Sequence, residues 1–376
     1  MKYLWKYILP GLFVAVVFVV AYPQRTRPEL TVTALWATSS ERDPVDGDAH
    51  AEGLIPVDFG DGFAYLAHDG RLTYRGRTAA HVALSPAAFV NASRADAPLV
   101  VQGADGEFRS SIPAAGYPIF AGDRLFVIAD GGGSISEWSI DGDELWRADI
   151  AAPLISVDAR GDYLALGLGA GGPRIVRRDG TLVEVPPGVT DEEPVIYRVA
   201  VSDAPPRLAV VSGAGSSFAG GKPEANTVPL DLSVYDLESG SAVRVFHRRI
   251  RSPVDAPPLL RLLSDGRLVV SSSSDRPAIV ALDPAGTGEH LIPLRFPGRD
   301  VTELVGLPLY AVLSVSSTVD PSRGFGFPAE LILLGRDGAV SARTSWAGGA
   351  TAISQHGSSL TIQVDDRVLA MKLGVR

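Results

Sequence analysis

The sequence predicts an all-β fold built from one short unit that repeats along the chain, and three observations indicate this. Asp-Gly pairs recur at 69–70, 105–106, 141–142 and 179–180, in steps of 36, 36 and 38 residues. Short apolar runs precede several of these turns in a constant order. No stretch after residue 30 has helical periodicity over ten or more residues. Four short strands per unit, repeated at this spacing, are typical of a β-propeller.

Each unit reads as four strands in chain order. In the third unit, "YPIFA" (117–121) is the first strand and "GDRLFVIAD" (122–130) contains the second. The Asp-Gly turn in "EWSIDGDELW" (137–146) then joins the third strand to the fourth. A two-residue hairpin at this point requires positive φ, which glycine adopts readily. We therefore expect positive φ at Gly106, Gly142, Gly180 and Gly338.

Counting these units predicts about eight four-stranded blades, with seven as the alternative. A single sheet has two apolar faces, and packing each sheet against the next around a ring buries both. The blades are placed at about 31–76, 80–112, 116–149, 153–186, 195–249, 257–295, 300–345 and 349–374. The last blade supplies only three strands, so "TVTALWA" (31–37) is predicted to complete it as an outer strand.

The N-terminal segment, residues 1–27, is predicted to be a membrane anchor or signal, and residues 28–376 to be the propeller. An uncharged apolar run covers residues 7–22 after a basic head, which favours an apolar helix that contacts the membrane. A signal peptide cleaved after Val19-Val20-Ala21 is the alternative. Either reading places the body outside the cytoplasm. The predicted location follows from the anchor: the chain is held in the inner membrane, with its body facing the periplasm or the cell exterior.

Composition excludes several classes of function. The chain has no cysteine, which excludes disulfides, thiolate metal sites and cysteine nucleophiles. Its formal net charge is −9, and the one basic stretch, "HRRIRS" at 247–252, is too short to indicate a nucleic-acid partner.

No motif in the chain indicates chemistry. "GLGAGG" at 167–172 matches a dinucleotide-binding pattern, but Pro173 and a strand follow it where that chemistry needs a helix N-terminus. The six histidines lack metal-ligand spacing, although distant residues can converge in a propeller channel. No catalytic, cofactor-binding or metal-binding residue is assigned, and the chain is predicted not to be an enzyme.

The repeat resembles the WD40-like and quinoprotein-like propeller repeats, including the tryptophan beside the turn in "EWSIDGDELW". This resemblance covers nearly all of residues 31–376 but lacks the Trp-Asp dipeptide and Gly-His pair of true WD40 blades. It implies an architecture and no particular activity. The cofactor and calcium ligands of quinoprotein dehydrogenases have no match here.

Two long insertions between second and third strands distinguish the chain from a plain repeat. They are "GAGSSFAGGKPEANTVP" (213–229) and "SVSSTVDPSRGFGFPAE" (314–330). Long loops gathered on one face of a rigid scaffold are where function concentrates. Their aromatic and basic residues are of the types that anchor interfaces, and they are the candidate partner contacts: Phe218, Lys222, Arg323, Phe325 and Phe327.

The sequence thus predicts a non-enzymatic, extracytoplasmic propeller that acts as a protein-binding scaffold in the cell envelope. The alternative is a lactonase-like propeller hydrolase with a metal in the central channel. A sensor of a small ligand or carbohydrate is a third reading.

Overall fold

The computed structural model describes most of the chain after residue 29. The described ranges are 30–39, 54–59, 61–93, 98–150, 152–186, 194–214, 227–237, 241–253, 258–263, 266–273, 277–282, 289–293, 300–306, 311–316, 329–334, 340–346, 350–356, 359–364 and 367–375. The main compact unit is Ala34–Lys372, and a second unit joins Met1–Thr33 to Leu373–Arg376.

The described residues form 31 strands in eight sheets, numbered here in chain order. Sheet 1 contains β2 (Ile55–Asp58), β3 (Gly62–Leu66) and β4 (Leu72–Arg77). Sheet 2 contains β5 (His81–Leu84), β6 (Ala88–Ala92), β7 (Leu99–Gly103) and β8 (Phe108–Ile112). Sheet 3 contains β9 (Gly116–Ala121), β10 (Arg124–Ala129), β11 (Ser134–Trp138) and β12 (Glu144–Asp149). Sheet 4 contains β13 (Leu154–Arg160), β14 (Tyr163–Leu168), β15 (Arg174–Arg177) and β16 (Leu182–Val183).

The second half of the chain continues the same pattern. Sheet 5 contains β17 (Pro194–Asp203), β18 (Pro206–Ala214), β19 (Thr227–Asp236) and β20 (Val243–Pro253). Sheet 6 contains β21 (Leu260–Leu262), β22 (Leu268–Ser273), β23 (Pro277–Leu282) and β24 (Glu289–Pro293). Sheet 7 contains β25 (Asp300–Gly306), β26 (Ala311–Ser316), β27 (Ala329–Leu334) and β28 (Val340–Trp346). Sheet 8 contains β29 (Ala350–His356), β30 (Ser359–Val364), β31 (Arg367–Val375) and β1 (Leu30–Ser39).

Every sheet follows the predicted strand order. Strands adjacent in the chain pair antiparallel, as β9, β10, β11 and β12 do. The first strand of each sheet contacts the first strand of the next, so these strands are called inner strands. The last strand of sheets 2 to 7 lies at the opposite edge and is called the outer strand, as are β4 in sheet 1 and β1 in sheet 8.

The N-terminal strand takes the position that the sequence predicted. β1 lies beside β31 in sheet 8, whereas the neighbouring sheet 1 has three strands in the described part of the chain. Val368 of β31 packs in one buried cluster with Ile55, Val57 and Leu66 of sheet 1. The prediction that residues 31–37 complete the last sheet is confirmed.

The repeated Asp-Gly turns adopt positive φ as expected, at 83° for Gly106, 95° for Gly142 and 83° for Gly180. The predicted length of these hairpin loops, two residues, was wrong. The Gly106 N–H donates to the Gly103 carbonyl at 2.8 Å, and the Gly103 N–H donates to the Glu107 carbonyl at 2.8 Å. This is a three-residue loop, a turn followed by a glycine bulge. The turns at 142 and 180 have the same bonds, and Gly338 lies outside the described residues.

Each of these glycines also packs against the outer strand of the preceding sheet. A Cβ on Gly106 would overlap the Tyr74 ring, and one on Gly180 would lie 2.9 Å from the Trp146 Cβ. A Cβ on Gly142 would lie 3.2 Å from the Ser110 Cβ. At Gly106 and Gly180 the turns therefore require glycine both for the backbone and for the close approach of neighbouring sheets, whereas at Gly142 the contact is tight and the backbone is the main reason.

Side chains on second strands connect three sheets to the turn of the next sheet. The buried Tyr65 hydroxyl contacts the carbonyl oxygens of Ser85 at 2.9 Å and Ala88 at 2.8 Å. Arg124 reaches the Gly161 carbonyl at 3.5 Å, and Arg207 reaches the Gly266 carbonyl at 3.5 Å. Burial, as the largest cause, raises the pKa of Tyr65 well above its ordinary value.

One buried ion pair holds three strands of sheet 3 together. Arg124 donates to both carboxylate oxygens of Glu137, at 2.8 and 2.6 Å. The Trp146 indole donates to the same carboxylate at 2.6 Å, and the Arg124 guanidinium lies 5.0 Å from the centre of the Phe126 ring. Both charged side chains are at most 3% exposed, so removing either would leave an uncompensated buried charge.

The predicted N-terminal helix lies outside the described residues. Among the residues that the structure does describe, no helix has the length and hydropathy needed to cross a membrane. The described chain is all-β, as the sequence predicted.

Candidate functional site

A cavity of about 730 Å³ opens where the inner strands of sheets 3 to 6 end. Its wall is formed by residues 119–124 of β9 and the following turn, residues 157–161 of β13 and its turn, Asp203 at the end of β17, and Arg261 of β21. The repeated geometry brings these ends together because each inner strand contacts the next.

An ion pair crosses this cavity. Asp158 of sheet 4 accepts a hydrogen bond from the Val201 N–H of sheet 5 at 2.8 Å, and its other oxygen lies 3.4 Å from Arg261 of sheet 6. The Asp158 side chain is 14% exposed and that of Arg261 is 39% exposed, so solvent partly screens their attraction. The pair links three consecutive sheets at their inner edges.

A second guanidinium lies near this pair. Burial, and secondly the positive charge of Arg261, lower the pKa of Arg198 on β17. The Arg198 Nε is buried and has no hydrogen-bond acceptor in the described structure. Within the described residues, no group of three histidine, aspartate or glutamate side chains is arranged to hold a metal ion.

A different feature marks the outer strands. Large apolar side chains are exposed at the first or second residue of the outer strand in four consecutive sheets. Their exposed fractions are 66% for Phe108, 55% for Leu145, 59% for Leu182 and 51% for Val243. Isolated exposed apolar residues are ordinary, but here one recurs near the start of the outer strand in each of four successive sheets. We call these four residues the apolar row.

The local sequence explains the position of the apolar row. Each member lies where the outer strand has just begun, after the connection from the third strand. Further along the same strands, side chains such as Ile112 in β8 and Trp146 in β12 are buried against a neighbouring sheet. In sheet 5 the row continues into Val245, which is 43% exposed.

The outer strand of sheet 5 is also strongly basic. The sequence of β20, "VRVFHRRIRSP", has four arginines and a histidine and no acidic residue. The Asp231 Oδ1 atom on the adjacent β19 lies 3.2 Å from the His247 Nε2 and 3.7 Å from the Arg249 Nε. Arg249 nevertheless has 72% of its side chain exposed.

The candidate contact residues predicted from the insertions, Phe218, Lys222, Arg323, Phe325 and Phe327, lie outside the described residues. Their insertions do connect second to third strands, because residues 215–226 join β18 to β19 and residues 317–328 join β26 to β27. The sequence did not predict the apolar row, although Phe108, Leu145 and Leu182 each follow a recurring Asp-Gly turn. The basic stretch "HRRIRS" was judged too short to bind nucleic acid, and its position on an edge strand was not predicted.

Comparison with known proteins agrees with this architecture. A family model described as "beta-propeller protein" matches residues 2–217, more than half of the chain. An uncharacterized protein of Treponema pallidum (strain Nichols) is 25% identical over 151 residues, and the chain spans 40% of that relative's length.

Solved structures show the same fold at low identity. BamB from Moraxella catarrhalis is 16% identical with a TM-score of 0.59, the match covering 91% of this chain and all of BamB. The computationally designed protein Ika8 is 14% identical with a TM-score of 0.54, over 90% of this chain and 99% of Ika8. At these identities the likeness concerns the fold alone.

Proposed function

This chain belongs to the family of beta-propeller proteins, and we propose that it is a non-enzymatic scaffold that binds another protein in the cell envelope. The apolar row is the observation that carries this proposal. Burying one large aliphatic or aromatic side chain stabilises a complex by roughly 1.5–3 kcal/mol. Four such side chains near the starts of successive outer strands are suited to an extended protein contact.

The proposed architecture is one ring in which each of the eight sheets is a blade and β1 closes the last blade. The buried cluster between Val368 and sheet 1 supports it, because it brings the last and first sheets of the chain into contact. In this ring, both insertions lie on the same face. Phe218, Lys222, Arg323, Phe325 and Phe327 are then proposed as additional partner contacts on that face.

The proposed location is the outer side of the inner membrane, with residues 7–22 as the anchor. The uncharged apolar run in the sequence supports it. A retained anchor keeps the full-length chain in the membrane fraction after extraction with alkaline carbonate. A mature N-terminus near Tyr22 would instead show that the segment is removed as a signal.

The binding proposal is tested with the full-length chain purified from its native envelope. We expect a protein to co-purify at constant stoichiometry, and the double variant Leu145→Ser, Leu182→Ser to lose it while melting within a few degrees of the wild type. The matched control, Arg109→Ser with Arg147→Ser, changes exposed polar residues on β8 and β12 and should keep the partner. Equal recovery with both variants would overturn the proposal, as would the absence of any stoichiometric partner.

A further inference from the structure

The outer strand β20 is long, lies at the edge of its sheet and carries basic side chains, and these properties together point to a particular kind of partner. It is the longest strand described, with 11 residues, and it stands at the edge of sheet 5, paired with β19 alone in that sheet. A strand at such an edge presents backbone N–H and C=O groups that can pair with another extended chain.

The side chains of β20 alternate in a regular way after its bulge near Val245. Ile250 and Ser252 are buried, and Ile250 packs in the cluster shared with sheet 6. His247, Arg249 and Arg251 occupy the alternate positions and are exposed. The open face of the strand therefore carries cationic or protonatable groups at every second residue.

The charge on this face contrasts with the rest of the molecule. The chain has a formal net charge of −9, yet β20 contains only basic charged residues. Asp231 is one carboxylate shared between His247 and Arg249. Arg244, at the start of the strand, is exposed as well. A positive strip on an acidic protein attracts a partner of the opposite charge.

We propose that β20 docks an extended acidic segment of the partner protein, which adds to sheet 5 as a further antiparallel or parallel strand. The segment carries carboxylates at every second residue, opposite His247, Arg249 and Arg251, because directly opposed charges of opposite sign stabilise a strand pair. Val243 and Val245 are 51% and 43% exposed, and they contact apolar side chains at one end of the docked segment. This inference rests on the proposed scaffold function and names the chemistry of the partner.

The test uses the full-length chain and a fluorescein-labelled ten-residue peptide of alternating glutamate and valine. We expect saturable binding that weakens as the salt concentration rises. The same peptide with lysine in place of glutamate should not bind. A glutamate-valine peptide of equal charge but interrupted by two prolines should not bind either, because proline removes the N–H groups that strand addition needs.

Variants locate the site. Arg249→Glu with Arg251→Glu should weaken binding by at least about tenfold, because both charges on the open face are reversed. Arg75→Glu with Arg77→Glu makes the same change at two exposed, alternate positions of the outer strand β4 and should leave binding unchanged. If the first variant melts early, Arg249→Gln with Arg251→Gln repeats the test without reversing the charge.

The inference would be overturned by no binding of the acidic peptide, by equal binding of the proline-interrupted peptide, or by equal loss with both charge-reversal variants. Binding of phosphatidylglycerol vesicles with the same dependence on Arg249 and Arg251 would also overturn it, by assigning the strip to a membrane surface. The scaffold proposal is judged separately, since a native partner that depends on Leu145 and Leu182 can be retained when the acidic peptide does not bind.

Discussion

Gly106 and Gly180 each satisfy two conditions that other residues do not satisfy at once. Gly106 has a φ of 83° and leaves no room for a Cβ against the Tyr74 ring of the preceding sheet. The first condition concerns the backbone and the second concerns the packing between sheets. The chain offers a way to separate them, because Gly122 has a φ of 67° and open space around its missing Cβ.

We expect Gly106→Ala to lower the stability of the protein more than Gly122→Ala does. Both changes place a Cβ in the left-handed region, at roughly 1–2 kcal/mol each. Only Gly106→Ala also forces Tyr74 to move, which costs about 1–3 kcal/mol more. Thermal melting of the purified chains measures the difference. Equal melting temperatures would show that the turn does not constrain the contact between sheets 1 and 2.

Sheet 3 contains two bidentate arginine–glutamate pairs that differ in burial. Arg124 and Glu137 are buried, whereas Arg147 and Glu144 have 53% and 33% of their side chains exposed. Glu137→Leu leaves the Arg124 charge buried without a partner and should destabilise the fold by about 3–5 kcal/mol. Glu144→Leu removes an exposed pair and should cost less than about 1 kcal/mol. Chemical denaturation of both variants checks this, and similar losses would contradict the assigned burial.

Among the strands, β1 is the one whose position decides how sheet 8 ends. It lies beside β31, so its loss leaves β31 as an unpaired edge. A chain that begins at residue 28 should melt cooperatively, whereas one that begins at residue 40 should aggregate or lose cooperativity. The control is the chain from residue 28 with Leu35→Ser, which alters an exposed side chain and keeps the strand. Identical melting of the two truncated chains would contradict this role of β1.

The sequence was sufficient to predict the strand order, the recurring turns and the position of β1, because each follows from a repeated local pattern. The three-residue loop was missed, since the bulge depends on which backbone groups bond across the turn and Asp-Gly suits both loop lengths. The apolar row was also missed. Whether Leu145 or Trp146 is exposed depends on the neighbouring sheet, which buries Trp146 and leaves Leu145 open. Alternation along one strand does not determine this.

The cavity residues were beyond sequence reasoning for a related reason. Asp158 and Arg261 are 103 positions apart, and they meet because inner strands of successive sheets converge. No local pattern around either residue marks it as a partner of the other.

The proposed function requires that the outer strands of the propeller, rather than the inner ones, contact a partner protein. The chain contains a matched set of positions for testing it. Leu145 and Leu182 are exposed on outer strands, while Tyr117 and Ile155 are exposed to 52% and 43% on inner strands. All four are large and apolar, so replacement by a photoreactive phenylalanine analogue is comparable at each.

Photo-crosslinking in cells that express the full-length chain is the most direct measurement. The proposed function predicts that positions 145 and 182 give the same discrete adduct with one other protein, and that positions 117 and 155 give none. Adducts only from positions 117 and 155, or none from any of the four, would contradict it.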